Sequence, residues 1–566
     1  ARKGLPADRS LLRPPAGPLE RAHMAIPKQP RKRPVAAARL AKAKRSRRLV
    51  RKAPLKRPAA AGLPALARAL RPCPEDPSLV LVDPRSVGVD PGLLRDYAGA
   101  MRQAARRGVL PGCASVVLRR GELVHAQGFG YADLEAKKPF RLDTICRLYC
   151  MTKTYIAVVF MSLVEEGRVN LQDPVSKYIP AFADVQVVSK RQAAVADGQA
   201  GGPRLVKPRT PIRLRHLLNH TSGISYGAGF GGKPNGATEE SYAPLTAAVE
   251  RGEVRDLDDF VQRLARVPLR LHPGEAYEYG FSTDVLGRVV EVVMGKGLDV
   301  CLRERLFEPL NMEDTGFFVP DGQVHRLAAC YGSLDTWRNL HGRGGKAAPS
   351  SHDGMVRIDG STSEESRWRQ GRESKILSGG GFIGHNQGGL VSTVADTVRF
   401  VRMLIRNGLG WNGRRILKEE TLAIMEKDQL DPAFGQQERQ CLFGVLGGFS
   451  GEEFGWGGAA CTYWSLDRKE DYAIVWFAQY VDMPEWEEQK KVDPAKADIW
   501  SVLNKAMHSG VQDGRGKGRK RKRTPPPRGK EAAKSRASVG PAKKLAASSA
   551  SSRRGSLPVA AARSGA

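Results

Sequence analysis

Nowhere in this sequence do apolar residues run uninterrupted for the roughly 18 positions that a membrane-spanning helix needs, and no secretory apolar segment is visible. An integral membrane segment is therefore not expected. Cysteine is sparse: eight residues, at 73, 113, 146, 150, 301, 330, 441 and 461, are scattered through 566 positions. That spacing excludes a disulfide scaffold and favours a reducing, intracellular compartment. Acidic residues are scarce at both ends. Residues 1–72 hold 21 Lys/Arg against Asp8 and Glu20, a net +19, and residues 510–566 hold 16 against Asp513 and Glu531, a net +14. Since the whole chain is +32, the middle carries about −1 and has no nucleic-acid charge signature of its own.

The two ends are rich in Ala, Pro, Arg, Lys and Ser and show no sustained apolar period, so they cannot bury enough surface to offset the entropy of ordering. They read as disordered basic tails, 1–72 and 510–566, around one large domain at 75–509. Runs such as Lys517-Gly518-Arg519-Lys520-Arg521-Lys522-Arg523 suit weak polyanion contact or a nuclear address, and the first tail also fits an Arg-rich organelle transit segment. Oligomeric state is not legible.

What is present in the middle is chemistry at helical spacing. Asp143-Thr144-Ile145-Cys146-Arg147-Leu148-Tyr149-Cys150-Met151-Thr152-Lys153 puts a thiol three residues before an amine, on one helix face. Ile156, Val159, Phe160, Leu163 and Val164 then follow the helical period and Gly167 stops it, so an amphipathic helix is expected here. Before it, 114–119 and 123–128 alternate around Arg120-Gly121 as a hairpin, and 91–107 reads as a helix. After it come helices around Leu214 to Leu218, at 254–265, 285–293, 394–407 and 495–508, and strands at 442–449, 459–466 and 472–479, the last two joined through Arg468-Lys469-Glu470-Asp471. The stretch 185–210, punctuated by Gly and Pro, reads as a long surface connection, and 334–374, with little period, as a loop insertion near the site. Strands near both ends of the domain with helices between imply an α/β (α+β) fold: an antiparallel sheet flanked by helices, with a helical insert.

Five motifs then occur in order. Cys150-Met151-Thr152-Lys153 is followed by Leu217-Leu218-Asn219-His220-Thr221-Ser222-Gly223, by Tyr279 ahead of Thr283-Asp284-Val285-Leu286-Gly287, by Gly388-Gly389-Leu390-Val391-Ser392-Thr393, and by Gly455-Trp456-Gly457-Gly458-Ala459-Ala460. The series resembles the beta-lactamase-related, penicillin-recognising serine hydrolases: class C beta-lactamases, family VIII esterases and the mitochondrial beta-lactamase-like protein. The family writes Ser-x-x-Lys where this chain has Cys-x-x-Lys, and a serine where Gly280 stands. The resemblance implies a beta-lactamase/transpeptidase-like fold, an α/β lobe with an all-α lobe, and a site between them. It implies a hydrolase or acyl transferase acting on a small-molecule ester or amide through an acyl-enzyme, without metal or organic cofactor.

By that resemblance Cys150 is the nucleophile, Lys153 its proton acceptor and Tyr279 the proton donor to the leaving group. The amides of Cys150 and Ala459 form the oxyanion hole beside Trp456, Gly457 and Gly458. Lys153 can serve as a neutral amine or as the cation of a thiolate pair, and the Tyr279 phenol is expected to be held low by Lys153. Trp456 stands where a lysine would receive a beta-lactam carboxylate, which favours esters. The alternatives are a pseudoenzyme in which Cys150 is a buried small hydrophobe, or polyanion binding through the tails. Tyr277 is a competitor to Tyr279. Gly223-Ile224-Ser225-Tyr226-Gly227 matches a nucleophile elbow, but a helix precedes it rather than a strand. His216, His220, Cys146 and Cys150 suggest zinc only superficially, and His220 reads as a structural loop residue. Gly-x-Gly-x-x-Gly matches at Gly227 and Gly379 lack a strand-loop-helix frame and read as flexible loops.

Overall fold

A computed structural model describes residues 80–189, 204–227, 241–341, 351–352, 354–360, 377–381, 389–430 and 453–481. All belong to one compact unit, Ala65–Ala566. The expected tails, the strand at 442–449 and the helix at 495–508 lie outside the described residues.

The sheet is assembled from both ends of the described chain. Strands β1 (Gly112–Arg119), β2 (Glu122–Asp133) and β3 (Lys138–Pro139) come from its start, β6 (Glu453–Gly458), β7 (Thr462–Asp467) and β8 (Tyr472–Ala478) from its finish. The order is β6-β7-β8-β1-β2-β3, antiparallel throughout. β1 meets β8 in the register Cys113↔Ala478 to Arg119↔Tyr472. Both strands are buried along their whole length, so their alternation separates two cores rather than a core from solvent. Cys113, Val117, Ile474 and Trp476 point to Tyr97 and Met101 of α1 (Pro91–Arg106), while Ala114, Val116, Leu118, Val475 and Phe477 point to the main core. Asp90 starts α1, its carboxylate accepting from the Gly92 amide, with Pro91 at the first position.

On the main-core side lie α2 (Thr152–Glu165) and α7 (Val394–Ile405), and a helical insert between them contains α3 (Leu214–Leu218), α4 (Ala243–Glu250), α5 (Leu257–Leu264) and α6 (Ser282–Met294). The α2 sequence was expected to be amphipathic, but every residue from Thr152 to Leu163 is buried. The helix packs against the insert as well as the main core, and only its end at Val164 and Glu165 reaches partial exposure. Two further expectations are corrected. Residues 334–374 are not plain loop: Leu334–His341 is helical and Val356–Arg357 pairs with Tyr331–Gly332. The strand expected at 459–466 begins only at Thr462, because Ala459 to Cys461 form the turn from β6. Among the described residues no helix is long and apolar enough to cross a membrane.

Candidate functional site

Cys150 sits in a single 3₁₀ turn, Tyr149–Met151, that runs directly into α2. Two short strands set that turn: β4 (Cys146–Arg147) pairs with β5 (Val391–Ser392), and the Leu148 amide donates to the Leu390 carbonyl at 2.8 Å. A buried side chain clamps the same stretch, since Gln479 Oε1 accepts from the Arg147 amide at 3.0 Å and Gln479 Nε2 donates to the Arg147 carbonyl at 3.2 Å. The Arg147 guanidinium, wholly buried, donates to the Ala328 carbonyl at 2.8 Å and to Asp359 at 3.1 Å. The backbone just ahead of the thiol is thus held on three sides.

Lys153, one helical turn on, and Tyr279, from the segment leading into α6, both feel the Cys150 sulfur in their electrostatics. The Lys153 ammonium lies 4.6 Å from the Tyr279 ring centre. The spacing Cys150-x-x-Lys153 and the distant Tyr279 are therefore brought to one point. Tyr277 stands nearby but against His220, with ring centres 5.8 Å apart. Gly280 leaves room for the close crossing of the 224–225 backbone: a Cβ there would lie 2.3 Å from the Ile224 carbonyl, which accounts for glycine at that position.

β6 delivers the remaining residues. Trp456 lies with its ring centre 6.2 Å from that of Tyr279. Gly458 lets the strand end run against the nucleophile turn, since a Cβ would come within 2.1 Å of the Leu148 carbonyl, and Thr462 Oγ1 donates to the same carbonyl at 3.2 Å. Gly457 precedes it on the strand and Ala459 follows in the turn, so the amide of Ala459 arrives beside the turn that carries Cys150.

Several residues here were not foreseen. Lys153 Nζ donates to Tyr226 Oη at 3.0 Å and to the Gly380 carbonyl. Tyr226 packs edge-on to Tyr279 at 5.4 Å between ring centres, and His220 packs on Tyr279 at 4.9 Å. Tyr226 was visible in the sequence only as the neighbour of Ser225. The hydroxyl of that serine accepts from the Gly227 amide at 3.1 Å and closes a local turn. His220, read as a structural loop residue, belongs to the wall of the site. His216 accepts from the Arg213 amide at 3.2 Å at the start of α3, and Cys146 donates to the Thr144 carbonyl, so neither joins His220 and Cys150 as ligands.

Burial dominates the electrostatics. It pulls the Lys153 ammonium below the ordinary lysine value, opposed by the Cys150 sulfur and the Asp284 carboxylate. It pushes the phenols of Tyr279 and Tyr226 well above the ordinary tyrosine value, with Cys150 adding to both. The expectation that Lys153 keeps Tyr279 low is thus overturned, because desolvation of a fully buried phenol outweighs one neighbouring cation. Burial, with Lys153 adding, holds His220 well below the ordinary histidine value and therefore neutral. The site at rest joins an amine whose proton burial loosens to two protonated phenols around a sulfur.

Comparison with known proteins identifies the family and the fold. The esterase EstB of Burkholderia gladioli is 30% identical over 334 residues, covering 56% of this chain and 77% of the esterase. Monacolin J acid methylbutanoyltransferase of Aspergillus terreus is 25% identical over 472 residues, covering 76% of this chain and 98% of the transferase. The structure of simvastatin synthase (LovD) from Aspergillus terreus superimposes with a TM-score of 0.56 at 23% identity, over 75% of this chain and all of that one, and so shares the fold. The beta-lactamase family model matches residues 97–494, most of the sequence, and the chain therefore belongs to the beta-lactamase family.

Proposed function

We propose that the chain transfers acyl groups from small esters, or small amides, through a thioester on Cys150. The observation that carries this reading is that Lys153, one helical turn past Cys150, lies 4.6 Å from the Tyr279 ring centre, with the Cys150 sulfur acting on the electrostatics of both. Lys153, as the free amine that burial favours, takes the thiol proton while Sγ attacks the acyl carbonyl. The amides of Cys150 and Ala459 hold the oxyanion. On collapse the C–O bond of the ester breaks, and the departing alkoxide takes the phenolic proton of Tyr279, which recovers one from the Lys153 ammonium. A phenol held well above its ordinary value is protonated when that step needs it. Water or an alcohol then enters by the reverse route and frees the thiol.

Two relatives are named as an esterase and as a methylbutanoyltransferase, which supports transfer to water and to an alcohol as the two outcomes. Trp456 offers an apolar face and no cation, which favours uncharged esters over carboxylated beta-lactams. The basic ends, +19 and +14, add weak polyanion contact; retention on immobilised DNA that survives deletion of both would refute that part. The central test is turnover of p-nitrophenyl butyrate. Cys150→Ala should abolish it and Cys150→Ser should retain it, whereas an alanine variant as active as the parent would remove Cys150 from the chemistry.

A further inference from the structure

Three consecutive glycines, Gly379 to Gly381, connect the helical insert to the nucleophile turn, and each is pressed against a different neighbour. A Cβ on Gly379 would lie 2.5 Å from the Thr283 carbonyl, on Gly380 2.2 Å from Asp284 Oδ2, and on Gly381 1.9 Å from the Tyr149 carbonyl. Gly381 also has φ +77°, which any side chain would strain. The segment expected to be a flexible Gly-x-Gly-x-x-Gly loop is, over these residues, a strut wedged between α6 and Cys150.

What the strut transmits is legible from its polar contacts. Asp284, in the first turn of α6, is completely buried. Its Oδ1 accepts from Ser378 Oγ at 2.8 Å and from the Gly380 amide at 3.0 Å. The carbonyl of Gly380, next along the strut, accepts from Lys153 Nζ. Asp284 Oδ2, equally buried, has no hydrogen-bond partner among the described residues. A carboxylate left half-satisfied in the interior costs stability unless its charge is used, and the cation within its reach is Lys153.

We infer that Asp284 is a positioning residue for Lys153, holding the Gly380 peptide by its N–H so that the carbonyl aims the lysine amine at Cys150. The inference rests on the acyl-transfer reading above and names the support that reading needs. An amine free to turn away from the thiol would lose roughly 10 to 100-fold in rate, the usual cost of misplacing a reacting group by about an ångström.

The test follows Cys150 alkylation by iodoacetamide in the full chain, by peptide mass spectrometry, and so needs no substrate. Wild-type Cys150 should react faster than the other seven thiols; if it does not, the acyl-transfer reading falls and this inference with it. Asp284→Ala should slow Cys150 about 10-fold or more, while Asp284→Asn, whose amide oxygen still accepts both bonds, stays within about 3-fold of wild type. Gly380→Ala, which pushes on Asp284 from the other side, should slow it as Asp284→Ala does. In a Lys153→Ala background Asp284→Ala should cost nothing more, because it acts through the missing amine. Full additivity with Lys153→Ala, wild-type reactivity in Asp284→Ala, or Asp284→Asn as slow as Asp284→Ala would each overturn the inference while leaving a fast Cys150 intact. Thermal melts check that each variant is folded.

Discussion

Replacing Arg147 by alanine tests how firmly the nucleophile turn is held. The guanidinium is wholly buried, and the residue ties together three partners: the Ala328 carbonyl at 2.8 Å, Asp359 at 3.1 Å and, through its own backbone, Gln479. Truncation leaves Asp359 inside and still paired with Arg357 at 2.8 Å, and Arg357 is itself shared with Asp133 at 3.0 Å. Breaking a buried pair by removing one partner costs about 3 to 5 kcal/mol. The retained Arg357 pulls the expectation toward the lower end, about 3 kcal/mol. Removing Asp359 as well should recover part of that loss, because no carboxylate is then stranded beside the truncated side chain, and a coupling of about 1 to 3 kcal/mol is expected in the double-mutant cycle. Urea unfolding monitored by circular dichroism measures all four proteins. Cys150 alkylation on the same samples asks whether the turn three residues downstream has loosened. A loss below about 1 kcal/mol for Arg147→Ala, or purely additive single variants, would refute the picture of a buried ionic network supporting the thiol.

Other outcomes follow from the same geometry. Tyr226→Phe removes the hydroxyl that accepts from Lys153 at 3.0 Å and should lower ester turnover about 10-fold or more, the value of one hydrogen bond to a charged group, about 1.5 to 3 kcal/mol; unchanged kcat would show that this hydrogen bond does not serve Lys153 in turnover. Trp456→Lys places a cation where none stands and should improve KM for a carboxylated beta-lactam by about 10-fold or more, with no such gain for an uncharged ester; equal effects on both would sink the substrate argument. Burial pushes His125, 3.1 Å from Ser115 Oγ, down to about 4. Between that value and about 6.5 the unfolded chain binds the extra proton, so stability is full above about 6.5 and falls as the pH is lowered. The loss reaches about 2.5 kcal/mol at pH ~4.5. A His125→Asn variant should show a flatter dependence of urea midpoint over this range, and an unchanged slope would refute the assignment.

Much of the site was readable because its parts are local. Cys150 and Lys153 share a helix face by spacing alone, and Tyr279 announces itself by standing just ahead of an apolar helix. Tyr226, His220 and Asp284 could not be found that way. Tyr226 and His220 lie in a non-repeating loop, where position follows from tertiary contacts such as the Glu278 amide donating to the His220 carbonyl at 2.7 Å. Asp284 sits at a helical position that a charged residue can occupy for the helix dipole alone, so only the glycine strut against it reveals its other contacts. The β6 strand shows no period of its own because Gly455, Gly457 and Gly458 dilute it, and only the resemblance put Trp456 to Gly458 at a strand edge, although Gly458 is what allows it to reach the nucleophile turn. The electrostatic error on Tyr279 has the same origin, since sequence shows which charges are near but not how completely water is excluded.

The pairing of Cys113 with Ala478 and of Arg119 with Tyr472 has a consequence for biosynthesis. A ribosome releases the first hairpin several hundred codons before its neighbour in the sheet exists, and closing so long a loop is slow. Until then Val116 and Leu118 lack the neighbouring strand that carries Val475 and Phe477. Nascent chains of this protein should therefore lean on holding chaperones, and a stop codon anywhere ahead of residue 472 should yield aggregates rather than a smaller enzyme.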